Sequence, residues 1–172
     1  MIYEELFSPG KLKEYLFEHD MMPKKSLGQN FLIDKNSVER IVKVVGIEKD
    51  DVVVEVGSGL GVLTKPLCEH AEKVNAYEID GRVIPILEEV TKGCDNLTIH
   101  NKDILTEKTF PKKYKLVGSL PYYITSRIMR HVLAQENKPE TITFVMQKEV
   151  AERICEQGNK RSKISISVKI YG

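Results

Sequence analysis

Cysteine is scarce in this chain: Cys68, Cys94 and Cys155 are its only three thiols, and they stand far apart in sequence. That spacing excludes a disulfide framework and a cysteine-based metal motif, and leaves incidental thiols in a reducing compartment. No apolar run approaches the roughly 20 residues that cross a bilayer, so no membrane partner is expected. The opening residues Met1-Ile-Tyr-Glu-Glu5 supply neither a basic leader nor an apolar signal core, which points to a cytoplasmic location. An internal repeat, a low-complexity tract and a linker are absent as well. Charge of one sign is also lacking, since 26 Lys and Arg face 25 Asp and Glu, and a net +1 names no partner. What remains, at 41% hydrophobic and 30% charged over 172 residues, is one globular domain with a proper core.

The local distribution of charge says slightly more. Lys24 and Lys25 stand together; Lys102, Lys108, Lys112, Lys113 and Lys115 outnumber Asp103 and Glu107; Lys160, Arg161, Lys163 and Lys169 have no acidic neighbour. Such clusters line phosphate-binding faces, and they also describe an ordinary solvated surface.

Hydrophobic spacing predicts alternating strands and helices. A short helix is expected around or after Ser8-Pro-Gly10, then a basic turn over residues 22–28. Asn36-Ser37 can cap a helix through Val45, which Gly46 stops. Residues 52–56 form an apolar strand interrupted only by Glu55, suited to a parallel sheet covered on both faces. Further strands are expected at 74–79, 97–100, 114–119, 141–146 and 164–170. Helices are expected at about 61–71, around Ile84, Leu87 and Val90, at 124–134 and at 148–156. This order predicts an α/β fold with a doubly wound, mainly parallel sheet.

Three strand ends then carry chemistry. In Glu55-Val-Gly57-Ser-Gly59-Leu-Gly61 the glycines let backbone turn tightly and approach a ligand without a Cβ in the way, although plain turn chemistry also uses them. The G-x-G-x-G spacing differs from the dinucleotide fingerprint, so no pyrophosphate contact is implied. Glu78 ends the second strand, where a carboxylate accepts from both ribose hydroxyls or simply faces solvent. Asp103, after the third strand, either accepts from an exocyclic amine, with Ile104 packed on a purine, or caps a turn. Ser119-Leu120-Pro121-Tyr122 ends the fourth strand. A delocalised adenine amine is a poor nucleophile; carbonyl and side-chain acceptors can hold its protons, while Tyr122, or Tyr123, stacks on the base. The bland reading is a proline turn with a core tyrosine.

These stretches resemble the ribosomal RNA adenine N6,N6-dimethyltransferases of the KsgA type, whose relatives include the erythromycin-resistance rRNA methylases. The resemblance runs in order through Lys24-Lys-Ser-Leu-Gly-Gln-Asn-Phe-Leu-Ile-Asp34, Glu55–Thr64, Glu78-Ile-Asp80, Asp103-Ile104, Ser119–Ser126 and Met146–Arg153. It implies a Rossmann-like S-adenosylmethionine-dependent methyltransferase without a metal. Gln29, Asn30 and Leu32 would close over the cofactor, and Gly57 and Gly59 would meet its methionine part. Glu78 would hold the ribose, Ile79 would pack on the adenine, and Asp103 with the Ile104 amide would bind the adenine amine. Ser119, Leu120, Pro121 and Tyr122 would be catalytic, and Lys24, Lys25, Tyr122 and Tyr123 would meet RNA. The implied substrate is a pair of adjacent adenosines near the 3′ end of small-subunit rRNA, dimethylated within a pre-ribosomal particle.

Two departures from the family pattern stand out. Its catalytic motif begins with Asn, whereas Ser119 keeps an acceptor and loses the amide's two-ended hydrogen bonding. Family members also continue into a final strand and a small helical domain. The expectation is therefore a C-terminally truncated catalytic domain over residues 1–172, a monomer with an open sheet edge available for self-association. Gly118 is expected to loosen the loop. Alternatives are a large-subunit rRNA methyltransferase conferring drug resistance and a non-catalytic rRNA-binding assembly factor. A NAD-dependent oxidoreductase lacks both the spacing and a proton-transfer pair.

Overall fold

Val53, Val54, Glu55 and Val56 are all buried, as an unbroken hydrophobic strand between two helical layers must be. The computed structural model describes residues 3–19, 21 and 32–146. The basic turn at 22–28, Lys24, Lys25, Gln29 and Asn30, the helix expected at 148–156 and the strand expected at 164–170 lie outside the described residues.

A 3-10 turn (Tyr3–Phe7) leads into α1 (Pro9–Glu18), whose proline sits in the first turn where its missing N–H costs nothing. In α2 (Lys35–Val45) the cap is Asp34, whose carboxylate accepts from Ser37 N at 3.0 Å. The helix thus starts earlier than an Asn36-Ser37 cap would allow, and Gly46 ends it in the left-handed conformation. There follow β1 (Val52–Val56), α3 (Thr64–His70), β2 (Lys73–Tyr77), α4 (Ile84–Val90) and β3 (Leu97–His100). After a 3-10 turn at Ile104–Thr106 come β4 (Lys115–Ser119), α5 (Tyr122–Leu133) and β5 (Thr141–Val145).

The five described strands are parallel and ordered β3-β2-β1-β4-β5. Strand order reverses between β1 and β4, and a crevice opens beyond the carboxyl ends at such a switch point. Alternate residues of β1 and β4 feed two cores. Val53 and Val117 join Leu6, Leu16, Val38, Leu67 and Ile86 on one face. Val54, Val56 and Leu116 join Ile104, Tyr114, Ile128 and Val132 on the other.

Gly118 in β4 does not loosen a loop. A Cβ there would lie 2.8 Å from the Val56 carbonyl oxygen, so glycine is what lets β4 pack this closely on β1. Tyr114 carries the one buried side-chain polar atom without a partner among the described residues. Burial pushes its phenol pKa up, and the ring stacks on Phe110 with centroids 5.5 Å apart. Tyr114→Phe keeps that stack and removes an unsatisfied hydroxyl, so denaturant unfolding should show a gain of about 1 kcal/mol.

Candidate active site

The ends of β1, β2, β3 and β4 bring the sequence-predicted groups to one edge of the sheet. Gly57, Gly59 and Gly61 all have positive φ, 74°, 53° and 85°, the region L side chains rarely adopt. The loop is pinned to the strand beside it, because Gly57 N donates to Tyr77 O at 2.8 Å. It also touches the turn after β4. A Cβ on Gly57 would lie 3.3 Å from Ser119 O and 3.2 Å from Leu120 Cδ2. Glycine-rich loop and Ser119 turn therefore form one continuous wall at the switch point.

Glu78 lies just beyond β2 and is only 7% exposed, so it is not a solvent-facing carboxylate. Its Oε2 accepts from Gly59 N at 2.8 Å and its Oε1 accepts from Asp80 N at 2.8 Å. Each oxygen keeps a second lone pair. Asn101, which the sequence reading gave no role, donates through Nδ2 to Glu78 O at 2.9 Å and fixes the backbone of that acid. Next to it Ile79 is 58% exposed, an apolar side chain without cover at the mouth of the site.

Asp103 does what a capping residue does: its Oδ1 accepts from Leu105 N at 2.9 Å and starts the 3-10 turn. Oδ2 stands outside that bond. The side chain of Ile104 is 3% exposed and belongs to the second core, which corrects the expectation that it packs against a purine. Leu32 is half-buried against the first core.

Ser119 is the last residue of β4, in register with Val145 of β5. The carbonyl of Pro121 is committed to α5, accepting from Ile124 N at 3.2 Å and from Thr125 Oγ1 at 3.1 Å. The carbonyls of Ser119 and Leu120, unlike that of Pro121, are not taken up by these two bonds. Tyr122 opens α5 and Tyr123 is 51% exposed. One helical turn and two turns further on, Arg127 and Arg130 extend the exposed stripe that Tyr123 begins. With Leu105 and His131 they line an open recess of about 340 Å³. The i, i+4, i+7 spacing of these three residues was visible in the sequence as a stripe, though nothing there said which way the helix faced.

Behind the glycine loop, Glu55 is 1% exposed and takes a hydrogen bond from Thr64 Oγ1 at 2.6 Å. Burial, opposed by the Thr64 bond and aided by the nearby Glu78 charge, pushes its pKa up to about 8. This acid is neutral over most of the physiological range.

A parallel sheet in this strand order, with a glycine loop after β1 and a buried acid after β2, defines a Rossmann-like nucleotide-cofactor fold, and the family and structures it matches place it among the S-adenosylmethionine-dependent methyltransferases. Residues 21–171 match the family model described as ribosomal RNA adenine dimethylase, and the chain belongs to that family. It is 41% identical over 98% of its length to the ribosomal RNA small subunit methyltransferase A of Enterococcus faecalis, covering 60% of that protein. The corresponding protein of Listeria welshimeri is 37% identical over 97% of the chain, again covering 60% of the relative. The chain thus spans about 60% of the length of these curated relatives. Among solved structures it is similar to a dimethyladenosine transferase from Plasmodium falciparum, with a TM-score of 0.71 and 27% identity over 82% of this chain and 52% of that one. The 23S rRNA methyltransferase ErmE matches with a TM-score of 0.67 and 38% identity over 72% of this chain and 50% of that one.

The residues present fit S-adenosylmethionine. A loop with glycine at three of its five positions, a buried carboxylate with spare acceptor capacity and an uncovered isoleucine face lie along one edge. They match backbone contact, a ribose diol and a purine face respectively.

Proposed function

We propose that residues 1–172 act as the catalytic domain of an enzyme that dimethylates N6 of two adjacent adenosines near the 3′ end of small-subunit rRNA. The work would belong to small-subunit maturation in the cytoplasm, on rRNA within a pre-ribosomal particle. The observation that carries this reading is the close approach of Gly57 to the Ser119 carbonyl and the Leu120 side chain, which sets the candidate cofactor loop beside the candidate amine-binding turn. Relatives named for the small ribosomal subunit favour that target over the large one.

On this reading Gly57 and Gly59 meet the methionine part of the cofactor, Glu78 its ribose, Ile79 its adenine face, and Asp103 with the Ile104 amide its amino group. Gln29, Asn30 and Leu32 would close the site. When bound, S-adenosylmethionine supplies a methyl group on a positively charged sulfur. The Ser119 hydroxyl and the Ser119 and Leu120 carbonyls accept the hydrogens of adenine N6, turning its lone pair out of the ring plane. No strong base is needed, because orientation and charge placement lower the barrier. Tyr122 stacks on the extruded base, and Tyr123, Arg127 and Arg130 track the flanking strand, with Lys24 and Lys25 on phosphates.

The test is transfer of labelled methyl from S-adenosylmethionine to unmethylated small ribosomal subunits, followed by nucleoside analysis. Dimethyladenosine in small-subunit rRNA is the expected product. Label on large subunits instead would move the target, and cofactor binding without transfer would leave an rRNA-binding assembly factor. In the same assay Ser119→Asn should raise the rate by about tenfold, the worth of one added hydrogen bond to the amine. An unchanged rate would remove Ser119 from the amine site.

A further inference from the structure

Cys68 and Cys94 read as unrelated thiols in the sequence, yet the fold sets them side by side. Lys65 and Cys68 are one turn apart on α3 and share a face. Cys94 sits in the turn that leaves α4, directly after Gly93 with its φ of 85°. The Lys65 ammonium bridges the two elements, with Nζ 3.7 Å from Cys94 Sγ and 3.2 Å from Lys92 O. Asn96 clamps the same junction by donating through Nδ2 to Cys68 O at 2.9 Å and Ala71 O at 2.8 Å. Cys94 is half-buried, whereas Cys68 is buried.

The two sulfurs differ in chemistry as well as in exposure. Burial, and contact with Cys94, push the Cys68 thiol pKa up, so Cys68 stays protonated. The Lys65 ammonium stands 3.7 Å from the Cys94 sulfur, placed to offset negative charge that builds on it when it attacks an oxidant. Neither thiol takes part in the methyl-transfer site, which lies at the carboxyl ends of the strands.

We propose that Cys94 and Cys68 form a peroxide-sensitive dithiol that closes reversibly into a disulfide joining α3 to the turn before β3. In the first step the Cys94 thiolate attacks one oxygen of a peroxide. An S–O bond forms, the O–O bond breaks, and hydroxide leaves, to be protonated to water; Cys94 becomes a sulfenic acid and the peroxide is reduced. In the second step the Cys68 sulfur displaces that hydroxyl. The S–S bond forms, the S–O bond breaks, and the Cys68 thiol proton departs with the hydroxyl as water. Lys65 holds its ammonium beside the Cys94 sulfur through the first step. A thiol reductant reverses the link by exchange.

The experiment uses the full chain carrying Cys155→Ser, treated with hydrogen peroxide, digested without reduction and mapped by mass. Expected is a Cys68–Cys94 peptide pair lighter by two hydrogens than the reduced pair and restored by dithiothreitol. Added Cys68→Ser should strand Cys94 as a sulfenic acid that dimedone traps, whereas Cys94→Ser should leave Cys68 unlabelled. Lys65→Met, checked by thermal unfolding to be folded, should slow the peroxide reaction several-fold. Peroxide treatment that gives no Cys68–Cys94 link, or only sulfinic and sulfonic acids at Cys94, would overturn the proposal. An unchanged rate in Lys65→Met would remove the ammonium from it.

Discussion

Glu78→Ala is expected to weaken S-adenosylmethionine binding by at least about 100-fold in a calorimetric titration. On the proposed reading two ribose hydroxyls would donate to the Glu78 carboxylate, for about 1.5–3 kcal/mol each, and every 1.4 kcal/mol is about a factor of ten. The loss has a second source in this fold. Glu78 also accepts from Gly59 N and Asp80 N, so its removal frees the middle of the glycine loop and strands two N–H groups. Unfolding measured beside the titration should therefore show a loss of about 1–3 kcal/mol for each stranded donor that water does not reach. Glu78→Gln should fare little better, because its amide nitrogen would face one of those two donors. Affinity within about threefold of the parent, a change of some 0.6 kcal/mol, would mean the ribose is held elsewhere.

The strands were legible because each is short, apolar and bounded by turn residues. Residues 52–56 and 97–100 carry their limits on their face, and the observed β1 and β3 match them. The glycine loop, Glu78 and Ser119 could be placed at one edge because a parallel sheet sends every strand's carboxyl end the same way. What could not be read depends on partners distant in sequence. Gly118 is demanded by the Val56 carbonyl across a strand pair, and nothing within β4 hints at it. Ile104 looks like a ligand-facing residue after Asp103 until the second core claims its side chain. The Pro121 carbonyl looks free until α5 starts one residue later and uses it. Cys68 and Cys94 look remote until Asn96 ties α3 to the turn before β3. At the N-terminus of α2 the pattern pointed to Asn36-Ser37 as the cap, whereas Asp34 takes it by reaching Ser37 N.

Glu55→Gln is expected to change the pH dependence of folding more than any other single substitution in the sheet. In the folded protein the Glu55 pKa stands at about 8, against an ordinary value of 4.5, chiefly because burial disfavours the charged form. The neutral acid thus contributes stability that is fully present below pH 4.5. That contribution is lost progressively as pH rises, and is gone once pH passes through about 8. Glutamine has the same shape, accepts the same hydrogen bond from Thr64 and never ionises. Denaturant unfolding across about pH 5 to 9 should show the parent falling relative to Glu55→Gln by a few kcal/mol, with the gap flat above the folded-state pKa. Parallel pH profiles would mean that Glu55 ionises as readily inside the fold as in water. The consequence reaches the site, because Thr64 begins α3 three residues beyond Gly61 and Glu55 stands directly before the loop. A charge appearing on Glu55 repels the neighbouring Glu78 side chain, whose Oε2 holds Gly59. Loosening of the glycine loop at high pH should therefore be greater in the parent than in Glu55→Gln, and amide hydrogen exchange at Gly59 would report it.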